Sequence, residues 1–112
     1  MSYEFNGETI ETDANGFLTN VDDWSKELAE YIAQREGITL TQNHWDLLEY
    51  LRDQYLNHHG EQPNTRTIVK AMSDKWGKNV SQKDVYDLFP KDPSKQGGRI
   101  AGLPESRRKG GY

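Results

Sequence analysis

Residues 41–55 of the chain, TQNHWDLLEYLRDQY, carry its strongest helical pattern. Thr41 is a residue type that caps helix N-termini, and Gly60 follows the last position of the pattern and ends it. Large apolar residues recur between these two points at three- and four-residue spacing, which places them on one face of a helix. They are Trp45, Leu47, Leu48, Leu51 and Tyr55. This segment predicts the longest helix of the protein, against which the other elements pack.

One further long helix is predicted before this segment and one after it. Asp22 or Asp23 is the expected N-cap of the upstream helix, which ends at Gly37. The downstream helix begins at Thr65, beyond a proline-containing break, and ends at Gly77. The predicted inward-facing residues are Trp24, Leu28, Tyr31 and Ile32 in the first, and Ile68, Val69, Met72 and Trp76 in the second.

Shorter elements complete the predicted fold. Residues 81–84, SQKD, resemble a capping box that opens a short fourth helix, which ends at Pro90. The Asn-Gly pair at residues 6–7 is the strongest local signal for a hairpin turn, and a second such pair stands at residues 15–16. The predicted fold class is therefore mainly α with a small N-terminal β-hairpin (α+β).

The glycine content changes after Pro90 and predicts a division of the chain. Few apolar residues follow this point, and glycines at five positions give the backbone a freedom that a packed element does not need. We therefore predict a helical domain over residues 1–90 and a flexible C-terminal arm, at most partly docked, over residues 91–112.

Composition excludes several classes of protein. The 112 residues include no cysteine, so disulfides, cysteine-ligated metals and thiol nucleophiles are excluded. The mean hydropathy is -1.00, and the longest apolar run, residues 31–33, is far too short for a transmembrane span or a signal peptide. We expect a cytoplasmic protein without membrane contact. No apolar seam beyond the core faces is left over, which favours a monomer.

Charge is segregated along the chain. Residues 1–65 hold three basic against thirteen acidic side chains, whereas residues 66–83 and 91–112 are each net +4. The first basic run overlaps two short helices joined by a turn, a layout typical of a helix-turn-helix unit whose cations could contact DNA phosphates. Its basic residues are Arg66, Lys70, Lys75, Lys78 and Lys83.

No constellation for metal binding or catalysis stands out. The three histidines are His44, His58 and His59, and adjacent residues on a helix point about 100° apart, so these cannot all converge on one ion. We expect them to be helix-end and surface residues. The carboxylate pairs lie on polar helix faces, and no phosphate-binding glycine loop is present. The sequence predicts no cofactor, no metal and no enzyme.

Five motifs in a fixed order resemble the DsrC/TusE family, which includes the gamma subunit of dissimilatory sulfite reductase and sulfur-relay proteins. They cover almost the whole chain, and the most specific is the last. The motifs are GETIETDANGFLTN at 7–20, EGITLTQNHWDLLEYLRDQYL at 36–56, TRTIVKAMSDKWG at 65–77, DVYDLFPKDPSKQ at 84–96 and GGRIAGLP at 97–104. The resemblance implies a helical domain with an N-terminal hairpin, a helix-turn-helix-like element and a mobile C-terminal arm.

The resemblance also implies a persulfide carried on a cysteine near the tip of that arm, with a second cysteine upstream in some members. In this chain the upstream position falls at Gly98, and the terminal position falls at Lys109 or Gly111. None of these is a thiol, so persulfide cannot be carried there. The arm keeps residues with which it can bind a partner, namely Gly97, Gly98, Arg99, Ile100, Ala101, Gly102, Leu103, Pro104, Arg107, Arg108 and Tyr112.

The sequence leaves three possible functions open. The first is a non-catalytic family member that binds and modulates a protein partner, either a sulfite reductase complex or a sulfurtransferase, without carrying persulfide. The second is a DNA-binding regulator of sulfur metabolism that uses the cations of residues 66–83. The third is sulfur carriage as in the cysteine-containing relatives, whether in tRNA thiolation or in sulfite reduction.

Overall fold

The computed structural model describes residues 2–105 and contains a two-stranded sheet followed by helices. The strands are β1 (Ser2–Phe5) and β2 (Glu8–Glu11), and a short 3-10 turn spans Val21–Asp23. The helices are α1 (Lys26–Arg35), α2 (Gln42–Asn57), α3 (Thr65–Trp76), α4 (Gln82–Leu88) and α5 (Lys95–Ile100). The predicted fold class, mainly α with an N-terminal hairpin, is confirmed.

The N-terminal hairpin forms at the predicted Asn-Gly pair. β1 and β2 pair antiparallel with Tyr3 opposite Ile10, and the turn residues Asn6 and Gly7 have φ of 53° and 77°. Positive φ at both positions is what a type I′ turn requires, and Asn and Gly are the residues that tolerate it. Gly16, with φ of 86°, makes the second predicted turn.

The helix caps agree with the sequence signals at every helix that was predicted except α1. Ser25, and not Asp22 or Asp23, caps α1, because its Oγ accepts a hydrogen bond from the Leu28 N–H at 3.1 Å. The two aspartates lie in the 3-10 turn, whose own cap is Asn20. The chain thus makes one extra turn before α1 begins.

The core is built on the apolar face of α2. Leu47, Leu48 and Leu51 of this face are completely or almost completely buried, in one cluster with residues from all the other helices and from β2. The core residues are Ile10, Leu18, Leu28, Ala29, Ile32, Ala33, Leu47, Leu48, Leu51, Ile68, Met72, Val80, Val85, Phe89, Ile100, Ala101 and Leu103. Trp24, Trp45, Tyr55 and Trp76, predicted as core aromatics, are partly buried at its edge.

The segment after Pro90 differs from the prediction. An extended, at most partly docked arm was expected from residue 91, but residues 91–105 pack on the body and include the fifth helix, α5. Ile100, Ala101 and Leu103 are core residues. The sequence was misleading because Gly97 and Gly102 permit close approach between backbone and side chains and do not serve flexibility. The end of the predicted arm, residues 106–112, lies outside the described residues.

No helix within residues 2–105 is long and apolar enough to cross a membrane.

Candidate functional site

The C-terminal segment, residues 91–105, contains most of the predicted partner-binding residues. Its helix α5 lies on α2, and the closest approach is at Gly97. A Cβ atom built on Gly97 would stand 3.0 Å from Leu51 Cδ1 and 3.3 Å from Leu47 Cδ2. Gly97 therefore lets the α5 backbone contact two core leucines directly.

Gly102 turns the chain at the end of α5. Its φ is 74°, a left-handed conformation that favours glycine, and its backbone lies against the indole of Trp24. A Cβ atom on Gly102 would overlap Trp24, with Cβ and Cγ of the indole side chain at 2.7 Å. Both the backbone conformation and the contact thus require glycine.

Two side chains of the body donate hydrogen bonds to backbone carbonyls at the C-terminal end of α5. Trp24 Nε1 donates to the carbonyl of Ile100 at 2.9 Å, and Arg52 Nη1 donates to that of Ala101 at 2.7 Å. The Arg52 guanidinium also lies 4.2 Å from the Trp24 ring centroid. Burial lowers the pKa of Arg52 from its ordinary value, which Asp22 partly opposes. These donors satisfy the carbonyls that helix termini leave without partners.

Two further contacts hold the last described residues. Gln62 Nε2 donates to the Pro104 carbonyl at 2.8 Å. Asn15 Nδ2 lies 3.0 and 3.1 Å from the two carboxylate oxygens of Glu105. The position from which the tail of residues 106–112 continues is thus set by the N-terminal turn and by the loop after α2.

Glu36 connects α5 to the end of α1. Its Oε1 accepts hydrogen bonds from Gln96 Nε2 at 2.8 Å and from Arg99 Nη1 at 3.1 Å. The other end of the Gln96 amide accepts the backbone N–H of Lys91 at 3.0 Å. The Glu36 side chain is only 12% exposed, so the ion pair with Arg99 is screened less by solvent than one on the surface.

Gly98, the position that the family resemblance predicts for the upstream cysteine, lies on α5. Gly98 is buried, yet a Cβ atom built there meets nothing within 4 Å. It borders a small cavity that Ser94, Leu103 and Pro104 also line. The backbone could therefore hold a side chain at this position, but this chain places no sulfur there. The other candidate positions, Lys109 and Gly111, lie outside the described residues, as do Arg107, Arg108 and Tyr112.

His44 lies at the N-terminal end of α2, as predicted, but it is buried and not on the surface. It is 7% exposed, its Nδ1 accepts the Thr41 N–H at 3.0 Å, and its Nε2 lies 3.0 Å from the Leu88 carbonyl. An imidazole that accepts at Nδ1 and donates at Nε2 is neutral. Burial lowers its pKa, although the Leu88 hydrogen bond acts in the opposite direction. His58 and His59 are exposed at the end of α2, and within residues 2–105 no three metal-ligating side chains cluster.

The predicted DNA-contacting cations lie on or between α3 and α4, away from the contacts that hold α5. All five, Arg66, Lys70, Lys75, Lys78 and Lys83, are exposed. Lys83 pairs with Asp87 at 3.1 Å. Asp74 and Asp84 stand among these cations, so the patch is of mixed charge.

Sequence reasoning identified the C-terminal segment but missed the side chains that hold it. Asn15, Trp24, Glu36, Arg52 and Gln62 bind it from five separate places along the chain. One signal was available: Arg52 is one of three cations in an acidic half of the chain and is adjacent to core residue Leu51. The others carry no local pattern that marks them.

The chain is similar to known proteins over most of its length. A family model described as "DsrC like protein" matches residues 4–108. Sulfurtransferase TusE of Sodalis glossinidius is 46% identical over 103 residues, which is 91% of this chain and 94% of the relative. Sulfurtransferase TusE of Escherichia coli is 44% identical over 102 residues, covering 90% and 93%.

Solved structures share the same fold. DsrC of Allochromatium vinosum has a TM-score of 0.86 and 35% identity, covering 96% of each chain. The oxidized gamma-subunit of the dissimilatory sulfite reductase from Archaeoglobus fulgidus has a TM-score of 0.86 and 31% identity, covering 96% of this chain and 98% of that one.

Proposed function

The chain belongs to the DsrC-like family, and on that premise we propose that it binds and modulates a protein partner of sulfur metabolism without carrying persulfide itself. The partner is either a sulfurtransferase of a sulfur relay like that of TusE, or a sulfite reductase complex. We propose that it does so as a cytoplasmic monomer.

One observation carries this proposal: the chain has no cysteine, yet it keeps the family's C-terminal segment. Persulfide transfer needs a thiolate that attacks sulfur and later leaves, and no other side chain at Gly98, Lys109 or Gly111 can do this. The contacts to Ile100, Ala101 and Pro104 keep the segment in a defined position. A segment that is held in a defined position without a reactive sulfur fits a binding role.

The tail supplies the contact. It follows Glu105 and contains Arg107, Arg108 and Lys109, three cations in a chain whose first 65 residues are net -10. Charged groups at the periphery of an interface mainly raise the association rate and make it dependent on salt. We therefore expect binding to weaken as ionic strength rises.

The experiment compares the full chain with a chain ending at Glu105. This end point leaves the core residues through Leu103 in place, so the shortened protein keeps its fold. Each is titrated against purified sulfurtransferase and sulfite reductase complexes, with Arg66→Gln plus Lys70→Gln as a control that removes two cations from α3. We expect one complex to bind the full chain and the control alike, and the shortened chain about tenfold more weakly. Equal affinity for full and shortened chains overturns the role of the tail.

A second candidate function, DNA binding, is favoured by the exposure of all five cations on the α3–α4 pair. Each phosphate contact would make binding fall more steeply with salt. A gel shift with duplex DNA at low and at moderate salt tests it directly. Electrostatic affinity is greatest at low salt, so no shift under that condition rejects this function.

A further inference from the structure

A cleft of about 310 Å³ lies between the N-terminal turns, the end of α1 and the C-terminal segment. Three cations line it, Arg35, Lys91 and Arg99, together with a single carboxylate, Glu36. Three cations against one carboxylate leave the described lining of the cleft net positive.

Three carboxylates at or beside the cleft already have hydrogen-bond partners within the protein. Glu36 holds Gln96 and Arg99, and Glu105 is held by Asn15. Asp13 accepts the backbone N–H groups of Asn15 at 2.8 Å and Phe17 at 3.0 Å. None of the three forms an ion pair with Arg35 or Lys91 within residues 2–105.

The rim cations Arg35 and Lys91 are exposed, and within residues 2–105 neither forms a salt bridge. The Arg35 guanidinium lies 5.7 Å from the Tyr3 ring centroid and 5.6 Å from that of Tyr31. Arg35 Nη1 also donates a hydrogen bond to the Tyr31 hydroxyl at 3.3 Å, so these contacts orient the guanidinium while its charge has no carboxylate partner within residues 2–105. A carboxylate that enters the cleft would meet one oriented and one flexible cation.

The tail starts at the edge of this cleft. Asn15 both lines the cleft and holds the Glu105 carboxylate. Glu105, the last residue that the structure describes, therefore lies beside the cleft.

We propose that this cleft binds an acidic segment of the partner protein, with carboxylates placed against Arg35 and Lys91. This inference rests on the proposed function, for which it names the chemistry of the partner. A protein segment is favoured over a nucleic acid because the cleft is small, about 310 Å³, and only two of the described cations that line it lack a salt bridge. Nucleic-acid binding draws its affinity from many phosphate contacts, which two cations do not supply.

The test uses the full chain and a fluorescein-labelled hexaglutamate peptide, followed by fluorescence anisotropy at low salt. The matched probes are hexaglutamine and hexathymidylate, and sodium sulfate serves as a competitor. The variants are Arg35→Gln plus Lys91→Gln, with Lys91→Glu alone as a second form because the Lys91 side chain is exposed. The control is Arg66→Gln plus Lys70→Gln, which removes the same charge from α3.

We expect hexaglutamate to bind and hexaglutamine not to bind. The cleft variants should weaken hexaglutamate binding about tenfold, while the α3 control stays within about twofold. Equal loss in cleft and control variants, tighter binding of hexathymidylate through Arg35 and Lys91, or complete displacement by equimolar sulfate would overturn the proposal. The peptide test can fail while the full chain still binds the intact partner complexes. Failure of this inference is therefore distinguishable from failure of the proposed function.

Discussion

The N-terminal hairpin and the C-terminal segment both depend on glycine, but for different physical reasons. At Gly7 the hairpin needs a positive φ, and an added Cβ atom would meet nothing within 4 Å. At Gly102 the chain needs a positive φ and also direct contact with Trp24, while Gly97 needs only contact with α2. Local sequence reveals the first use of glycine, whereas the second depends on residues distant in the chain.

Replacing each positive-φ glycine by alanine separates these two uses, with the largest effect at the C-terminal segment. Gly7→Ala should lose about 1 kcal/mol of unfolding free energy because only the backbone is strained. Gly102→Ala should lose about 3 kcal/mol because the methyl group also overlaps the Trp24 side chain. Urea unfolding of both variants measures the difference. Equal losses would show that Trp24 does not restrict position 102.

The indole hydrogen bond at the end of α5 is the next largest effect. Trp24→Phe removes the donor to the buried Ile100 carbonyl and should cost about 1–2 kcal/mol. The matched control is Trp76→Phe, which removes an indole donor to the half-buried carboxylate of Asp46 at 2.8 Å. Because Gln42 also donates to this carboxylate and water can take the place of the indole, the control should cost about 0.5 kcal/mol in the same unfolding assay. A larger loss of unfolding free energy in Trp76→Phe than in Trp24→Phe would contradict this ranking of the two hydrogen bonds.

Substituting the two adjacent glycines of α5 by alanine should change the stability of the protein in opposite directions. Gly97→Ala should destabilise by about 1 kcal/mol, because Leu47 and Leu51 are buried and have little room to move. Gly98→Ala, which meets no atom within 4 Å, should stabilise by about 0.5 kcal/mol through the higher helix propensity of alanine. Thermal unfolding can follow both. Stabilisation by both substitutions would mean that α5 does not approach α2 so closely.

Protonation of His44 should give the smallest loss of unfolding free energy. His44 belongs to the body of the protein and does not contact the C-terminal segment through any of the hydrogen bonds described above. The folded-state pKa lies below the ordinary 6.5, so the unfolded chain binds the proton more tightly. The stabilisation of the folded state by neutral His44 is complete above pH 6.5. It is lost as the pH falls through the folded-state pKa, because a protonated Nδ1 no longer accepts the hydrogen bond from the Thr41 N–H. Urea unfolding at pH about 7.5 and about 5.5 should show this loss, and His44→Gln should reduce it while exposed His58→Gln does not. An unchanged pH dependence in His44→Gln would contradict this assignment.

Most of the fold could be predicted from local signals. The Asn-Gly turn, the Thr41 cap, the Ser81 capping box and the left-handed Gly77 all act within a few residues, and each stands where the sequence predicts it. The exception before α5 is the cap of α1. Ser25 and Asp23 are both good cap residues, and the choice depends on the 3-10 turn that precedes the helix.

The arrangement of the candidate site could be predicted only in part. The motif at residues 97–104 indicated where to look, but α5 itself contains two glycines and its burial comes from Leu47 and Leu51 about fifty residues away. The donors Arg52 and Gln62 bind backbone carbonyls, which every residue has. No residue type in the segment therefore identifies them in advance.

The central claim, that this family member does not carry sulfur, is tested most directly by intact-mass measurement after incubation with a persulfide donor. The native chain should show no added sulfur atom, because it has no thiol to accept one. A Lys109→Cys or Gly111→Cys variant, measured beside it, should gain one sulfur atom that a reducing agent removes, which verifies the donor. A stoichiometric, reducible sulfur adduct on the native chain would contradict the account.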